Sequence, residues 1–225
     1  MENLLFNQLK LVIFDVDGTL YHQKPLRKRM LFAILGYYIL RPWRFREILF
    51  LYHFRKEREK KAGFAASDLE AKQYNWCSAK TRFSVKEMKK ITNKWMFEHP
   101  NKYLKHYMYP GVGIFFNELQ KQGISTAIYS DYPAAQKLKA MGLKADLVVN
   151  STDPAINALK PAPNGILYIL EQLGIQNKET CLFIGDRDEL DGACARNAGV
   201  NFLLLDKTAA KTNFYPLLSN KIRSR

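Results

Sequence analysis

A chain of 225 residues holds one α/β domain with an insertion, or two small domains, and excludes a large multidomain machine. Its 47% apolar and 25% charged residues are an ordinary globular composition. Thirty-five Lys and Arg against twenty-one Asp and Glu leave a formal charge of +14, which calls for an anionic partner such as nucleic acid, a membrane surface or a phosphorylated substrate.

That charge is confined to one block. Residues 21–108 carry 21 Lys and Arg against 7 Asp and Glu, whereas the other 137 residues carry 14 of each. The same block holds all four histidines and all three tryptophans, so two compositionally different parts are joined in one chain. The start, Met-Glu-Asn-Leu-Leu-Phe-Asn, lacks a basic leader and a sustained apolar run. Cys77, Cys181 and Cys194 form no close pair, which argues against a disulfide framework or thiolate zinc site and for a reducing, cytoplasmic setting.

Taken in chain order, the first apolar run, Leu11 to Phe14, predicts a buried strand, and the basic block that follows predicts helices. Four more short runs predict strands: Thr126 to Tyr129, Leu147 to Val149, Leu182 to Ile184 and Phe202 to Leu205. Between them lie helical spacings, as in Leu138 with Met141 after Pro133, and Ile166, Leu167, Ile169, Leu170 and Leu173 after Pro163. Gly123, Gly142, Gly174 and Gly199 each stand where a helix would stop. A short small-residue helix, Ala193 to Ala198, suits close packing on the sheet, with Cys181 and Cys194 as small buried residues. The alternation is βαβα, so the fold class is α/β, a doubly wound Rossmann-like parallel sheet carrying an inserted all-helical domain. The expected division is 1–20 with 109–225 as the core, and 21–108 as the basic insertion.

Ligands of such sheets bind beyond the carboxyl ends of the strands, and those ends are polar here. The first strand runs into Asp15-Val16-Asp17-Gly18-Thr19, the second into Ser130-Asp131, the third leads to Lys160-Pro161, and the fourth into Gly185-Asp186 with Asp188 and Asp191 behind. The fifth offers Asp206, read as a turn residue. Several carboxylates meeting in one crevice repel unless a divalent cation or a lysine joins them. Asp15, Asp186 and Asp191 offer hard oxygen ligands suited to Mg²⁺, and Lys160 offers fixed positive charge.

These four segments, Phe14 to Leu20, Ser130, Lys160 to Pro163, and Gly185-Asp186 with Asp191, resemble in order and spacing the four signatures of the haloacid dehalogenase superfamily. The long insertion between the first two resembles the helical cap of its phosphoglycolate-phosphatase-like branch. The resemblance implies a Mg²⁺-dependent phosphomonoester hydrolase working through an aspartyl-phosphate. By it, Asp15 is the nucleophile and Asp17 the general acid and base; Ser130 and Lys160 bind phosphate; Asp15, Asp17, Asp186 and Asp191 form the metal-binding set. Asp17 favours phosphate chemistry over dehalogenation, and leaves a phosphomutase as the alternative within the family. Asp191 either reaches the metal or orients Lys160. Asp131 adds an anion near the phosphate pocket or turns towards the cap. Asn157, where the family frequently has glycine, is expected to tolerate left-handed backbone. Arg187 is expected to pair with Asp188 or Glu189, ahead of reaching substrate.

The insertion holds eleven apolar or glycine residues from Met30 to Leu40, then Arg41-Pro42-Trp43-Arg44-Phe45-Arg46, then a second apolar run from Ile48 to Phe54. Eleven residues do not span a bilayer, which takes about twenty. The leading reading makes both runs cap core. A second makes residues 24–61, with basic clusters at each end, a peripheral contact with an anionic membrane, and a third makes them a protein contact. The second cluster, Arg55 to Lys61, also reads as a solvated helix face because it includes Glu57 and Glu59. Nucleic acid ranks below lipid because no nucleic-acid module accompanies the apolar runs. The expected partner of the core is a small phosphorylated substrate. A docking protein with incidental catalysis is the alternative from another functional class, and oligomeric state is left open.

Overall fold

The apolar runs outside the basic block are short, rich in β-branched, aromatic and leucine side chains, and each forms a strand of one parallel sheet. The computed structural model describes residues 6–224; residues 1–5, part of the start read above as lacking a leader, lie outside them. The chain runs through β1 (Leu11–Phe14), α1 (Gln23–Ile39), α2 (Arg46–Glu59), α3 (Leu69–Thr81), α4 (Val85–Thr92), α5 (Asn101–Tyr107) and α6 (Val112–Lys121). It continues through β2 (Ser125–Ser130), α7 (Ala135–Met141), β3 (Leu147–Asn150), α8 (Asn164–Gln172), β4 (Cys181–Gly185), α9 (Ala193–Ala198), β5 (Asn201–Leu204) and α10 (Phe214–Arg223).

The strand order is β3-β2-β1-β4-β5. Every pairing is parallel, with Phe14 opposite Ile128 on one side and Ile184 on the other. The order reverses at β1, so the carboxyl ends of β1, β2 and β4 frame the crevice where such sheets bind ligands. Alternate residues of β1 feed two cores. Leu11 and Ile13 join Tyr129, Phe183, Ile166 and Cys194, while Val12 and Phe14 join Phe115, Ile184 and Tyr215. Both faces are covered, as an all-parallel sheet requires.

Four of the predicted helix stops close on glycines in left-handed conformation: Gly123, Gly142, Gly174 and Gly199 have φ between 64° and 76°. Cys181 and Cys194 are fully buried, as their flanking residues implied. Asn157 has φ 46°, and its side chain accepts from the backbone N–H of Leu69 at 3.1 Å, tying this loop to the start of α3.

The basic block folds as helices. It leaves and rejoins the sheet side by side: Tyr21 and Met108 form an antiparallel bridge, with the N–H of His22 on the carbonyl of Tyr107 at 2.8 Å and that of Tyr109 on Leu20 at 3.1 Å. Asp68 caps α3, and Ser84 with Glu87 forms a reciprocal capping box on α4. A buried network joins the end of α1 to the start of α2: Trp95 Nε1 donates to Tyr38 Oη at 2.9 Å, Tyr38 donates to Glu47, and Arg44 Nε donates to Glu47 at 2.6 Å.

The two apolar runs divide between two environments instead of both serving as cap core. Met30, Tyr38, Phe50, Leu51 and Phe54 are buried, whereas Leu31, Phe32, Leu35 and Ile39 on α1 face outwards. A helix covers its neighbours with one stripe of side chains, and these runs are apolar all round. In the second basic cluster Arg55, Lys56, Glu59 and Lys60 are exposed, as on a solvated face, and Arg58 alone is buried. Arg58 is 5% exposed, bonds the side chain of Gln73 and the backbone carbonyl of Asp131, and lies 4.4 Å over the ring of Tyr132.

Candidate active site

Asp15 directly follows β1 and is only 4% exposed. Its N–H bonds the carbonyl of Ile184 at 2.9 Å, which holds the turn against β4. One carboxylate oxygen accepts from Lys160 Nζ at 2.8 Å and the other from Thr19 Oγ1 at 3.0 Å. Thr19 is held in turn by Tyr215, whose hydroxyl donates to the Thr19 carbonyl at 2.7 Å. Gly18, at φ 107°, completes the turn; a Cβ there would collide with Asp186 Oδ2, so glycine lets the β1 loop lie against the β4 loop.

Lys160 is the hub of the site. Its Nζ also donates to Asp191 Oδ1 at 2.8 Å, and the rings of Tyr129 and Phe183 lie 4.9 and 5.1 Å from it. Burial works against its charge, but Asp15, Asp191 and Asp131 outweigh that and hold its pKa well above the ordinary lysine value. The peptide between Lys160 and Pro161 is cis. Asp191 is fully buried, and its second oxygen accepts from the N–H of Arg187 at 3.2 Å. Burial pushes its carboxyl up to about 6; Lys160 opposes this and Asp15 adds to it. Of the two roles left open for Asp191, orienting Lys160 is therefore present in the geometry.

Asp186 follows β4. Lys207 reaches its Oδ2 at 2.9 Å, while its Oδ1 is buried with no hydrogen-bond partner. Burial first, and Asp15 second, raise its carboxyl above the usual range. One oxygen each from Asp15, Asp186 and Asp191 lie within 4.8 Å of one another. Three carboxylates with oxygens at that spacing, together with an unpartnered buried oxygen on Asp186, fit a hard divalent cation such as Mg²⁺.

Asp17 stands apart from this cluster. Both of its oxygens accept from Lys137 Nζ, at 2.5 and 2.6 Å, and Tyr21 donates a further hydrogen bond to it. Burial opposes its charge, and the Lys137 ammonium with the Tyr21 hydroxyl more than compensates, so its carboxyl lies below the usual range. The side chain expected in the metal set is thus occupied by a lysine.

Ser130 ends β2 and is buried, and its Oγ accepts from the N–H of Tyr132 at 3.3 Å. Asp131 accepts from Ser151 Oγ at 2.9 Å and from Arg187 Nη2 at 3.3 Å. This corrects the pairing expected for Arg187: Asp188 is taken by Arg196 at 2.8 Å, and Arg187 crosses the crevice to the end of β2. Asp206 accepts from the N–H groups of Thr208 and Ala209, as a turn residue does.

Sequence reasoning missed Lys137 and Arg58. Lys137 shares a helical face with Leu138 and Met141, all buried, and a lysine within an apolar stripe is the signal that could have singled it out. Arg58 lies among charged neighbours and carried no such signal.

The description "Hydrolase: haloacid dehalogenase-like hydrolase" matches residues 9–199. No curated protein matches the chain. Among solved structures, the HAD phosphatase from Thermococcus onnurineus is 24% identical over 88% of this chain and 86% of its own, with a TM-score of 0.59. CbbY from Rhodobacter sphaeroides in complex with phosphate is 16% identical over 87% and 85%, with a TM-score of 0.57. The HAD-hydrolase YfnB from Bacillus subtilis, bound to magnesium, is 16% identical over 88% of each chain, with a TM-score of 0.57. The match spans β1 to α9 and takes in the crevice carboxylates and Lys160, so the chain belongs to the haloacid dehalogenase-like hydrolases.

Proposed function

We propose that the chain is a Mg²⁺-dependent phosphomonoester hydrolase with Asp15 as nucleophile and the helical block 21–108 as its cap. The observation that carries this reading is the buried carboxylate of Asp15, held by Lys160 and Thr19, within 4.8 Å of oxygens of Asp186 and Asp191. The neighbours that hold phosphate and magnesium support it.

In this reading a free lone pair of the Asp15 carboxylate forms a bond to phosphorus, and the bond from phosphorus to the substrate oxygen breaks. The leaving oxygen takes its proton from Asp17, the acid in reach of the β1 turn, which enters this step protonated and leaves it as the carboxylate. A water then attacks the aspartyl-phosphate, Asp17 accepts its proton, and the bond between Asp15 and phosphorus breaks to release inorganic phosphate and restore the carboxylate. Lys137 favours the charged form of Asp17, which suits the base step; the acid step requires Asp17 to be protonated, with Lys137 moved off its carboxylate. Ser130 and Lys160 hold phosphoryl oxygens, and Lys160 is kept charged by its two carboxylates. Asp15, Asp186 and Asp191 would hold Mg²⁺, which when bound neutralises charge on the transferring group. Arg58 brings a cap cation to the end of β2, where a substrate group beyond the phosphate would meet it.

A screen of phosphomonoesters, including p-nitrophenyl phosphate, sugar phosphates and nucleotides, tests this. Inorganic phosphate should be released with Mg²⁺ and not after chelation, and Asp15→Asn should lower kcat by about 10⁴-fold or more. Undiminished release by Asp15→Asn overturns the reading. Transfer to a second position of the substrate without release makes the chain a phosphomutase instead.

A further inference from the structure

Among the described residues, fourteen large apolar side chains are at least 36% exposed, and nine of them fall between residues 31 and 52. They are ordered. On α1 two neighbouring rows at four-residue spacing face solvent: Lys24, Lys28, Phe32 and Gly36, and beside them Arg27, Leu31, Leu35 and Ile39. Both rows begin with cations and end apolar. Ile39 is 78% exposed, and space beside Gly36 is open to 4 Å. The turn after α1 continues the face with Leu40 at 73% and Trp43 at 75%, and α2 carries it on through Leu49 and Tyr52, with Lys56 Nζ 3.3 Å from the Tyr52 hydroxyl.

The charge on this stretch is one-sided. Residues 21–56 hold nine Lys and Arg against Glu47 alone, and Glu47 is buried between Arg44 and Tyr38. The outer face therefore presents cations, aromatic rings and aliphatic side chains, and no anion. We propose that this face, from Lys24 to Lys56, docks the protein on an anionic lipid bilayer, the apolar end of α1 and Trp43 entering the boundary between headgroups and acyl chains and the cations meeting lipid phosphates. Contact is interfacial, because no helix of the described residues is long and apolar enough to cross a membrane. A second copy of the chain fits the face poorly, since a symmetric contact would set the same cations against one another. Nucleic acid would leave the apolar rows in water.

The test uses the full chain and two vesicle types, phosphatidylcholine alone and an equimolar mixture with phosphatidylglycerol. The protein should sediment with the mixed vesicles and not with the neutral ones, and less so as salt rises. Trp43 emission should move to shorter wavelength on binding, and Trp43→Phe should remove that shift while binding persists, because Trp95 is already buried and Trp76, half-buried against Phe64, lies on α3 and not on this face. The double variant Arg27→Glu with Lys28→Glu should weaken binding by at least roughly thirtyfold. Leu35→Glu should weaken it too. All of these positions are solvent-facing, so circular dichroism and melting temperature should match the wild type. Equal sedimentation with both vesicle types overturns the proposal, as does no sedimentation with either. A dimer in lipid-free solution that Leu35→Glu dissociates also overturns it and gives the face to a second copy. Each readout is binding, so it stands or falls separately from phosphatase activity.

Discussion

The crevice and the helical block use positive charge in opposite ways. In the crevice every cation described above meets a carboxylate: Lys160 meets Asp15 and Asp191, Lys137 meets Asp17, Arg187 meets Asp131, and Lys207 meets Asp186. In the helical block, cations settle largely on aromatic rings and neutral polar groups. Lys94 lies 3.5 Å over Tyr37, Arg41 lies 4.3 Å over the same ring, Arg29 lies 4.2 Å over Tyr103, and Arg58 bonds Gln73 and a backbone carbonyl. Pairing with a ring leaves the charge in place for an outside anion, whereas pairing with a carboxylate cancels it. The even charge count of one part and the excess in the other are thus two pairing habits, and only the second projects a field into solvent.

Breaking the crevice pattern at its centre should have the largest effect. Lys160→Met leaves Asp15 and Asp191 facing each other without a cation. It should lower stability by about 3–5 kcal/mol in urea denaturation, with loss of turnover. Unchanged stability would mean that the carboxylates simply take up a proton, for which Asp191, at about 6, is already poised. Next in size is Lys137→Met, which removes the ammonium bonding both oxygens of Asp17. We expect kcat to fall about ten- to a hundredfold with KM little changed, since the lysine positions Asp17 without touching phosphorus. A change confined to KM would place Lys137 on the substrate instead.

The smallest effect should come from one of the helical block's exceptions, which also include Arg44 with Glu47 and Lys89 with Glu70. Glu57 meets Lys80 at 2.7 Å and Lys60 at 3.0 Å, and these hold its carboxyl at about 2. That is below the unfolded glutamate value of about 4.3, so the contribution is complete at neutral pH and disappears as pH falls through the interval between the two. Glu57→Gln should lower the melting temperature by about 1 °C at pH 7, with the difference closing below about pH 3. A difference that persists in acid would assign the effect to packing.

The strands were legible because a parallel sheet buries both faces, which turns each strand into a short continuous apolar run such as Leu11 to Phe14. The crevice acids were legible for a related reason. A polar residue ending an apolar run has little structural excuse, and Asp15, Ser130 and Asp186 each do so. The partners of those acids were not. Lys137 lies 120 positions from Asp17, and Arg187 reaches past its neighbours Asp188 and Glu189 to Asp131. The leading reading of the α1 and α2 apolar runs, as cap core, holds for only part of them, because a helix apolar on every side gives no periodicity from which to tell its buried face from its free one.

The order of the elements, the positions of the crevice acids and the segregation of charge were determined by the sequence itself, since each rests on local pattern and count. Which carboxylate holds which cation, and which side of α1 remains bare, were decided only by the tertiary structure. Ion pairing and burial depend on distances across the fold, and a β1 turn meeting an α7 lysine, or a helix finding neighbours on one side only, exists only once sheet and helices have packed.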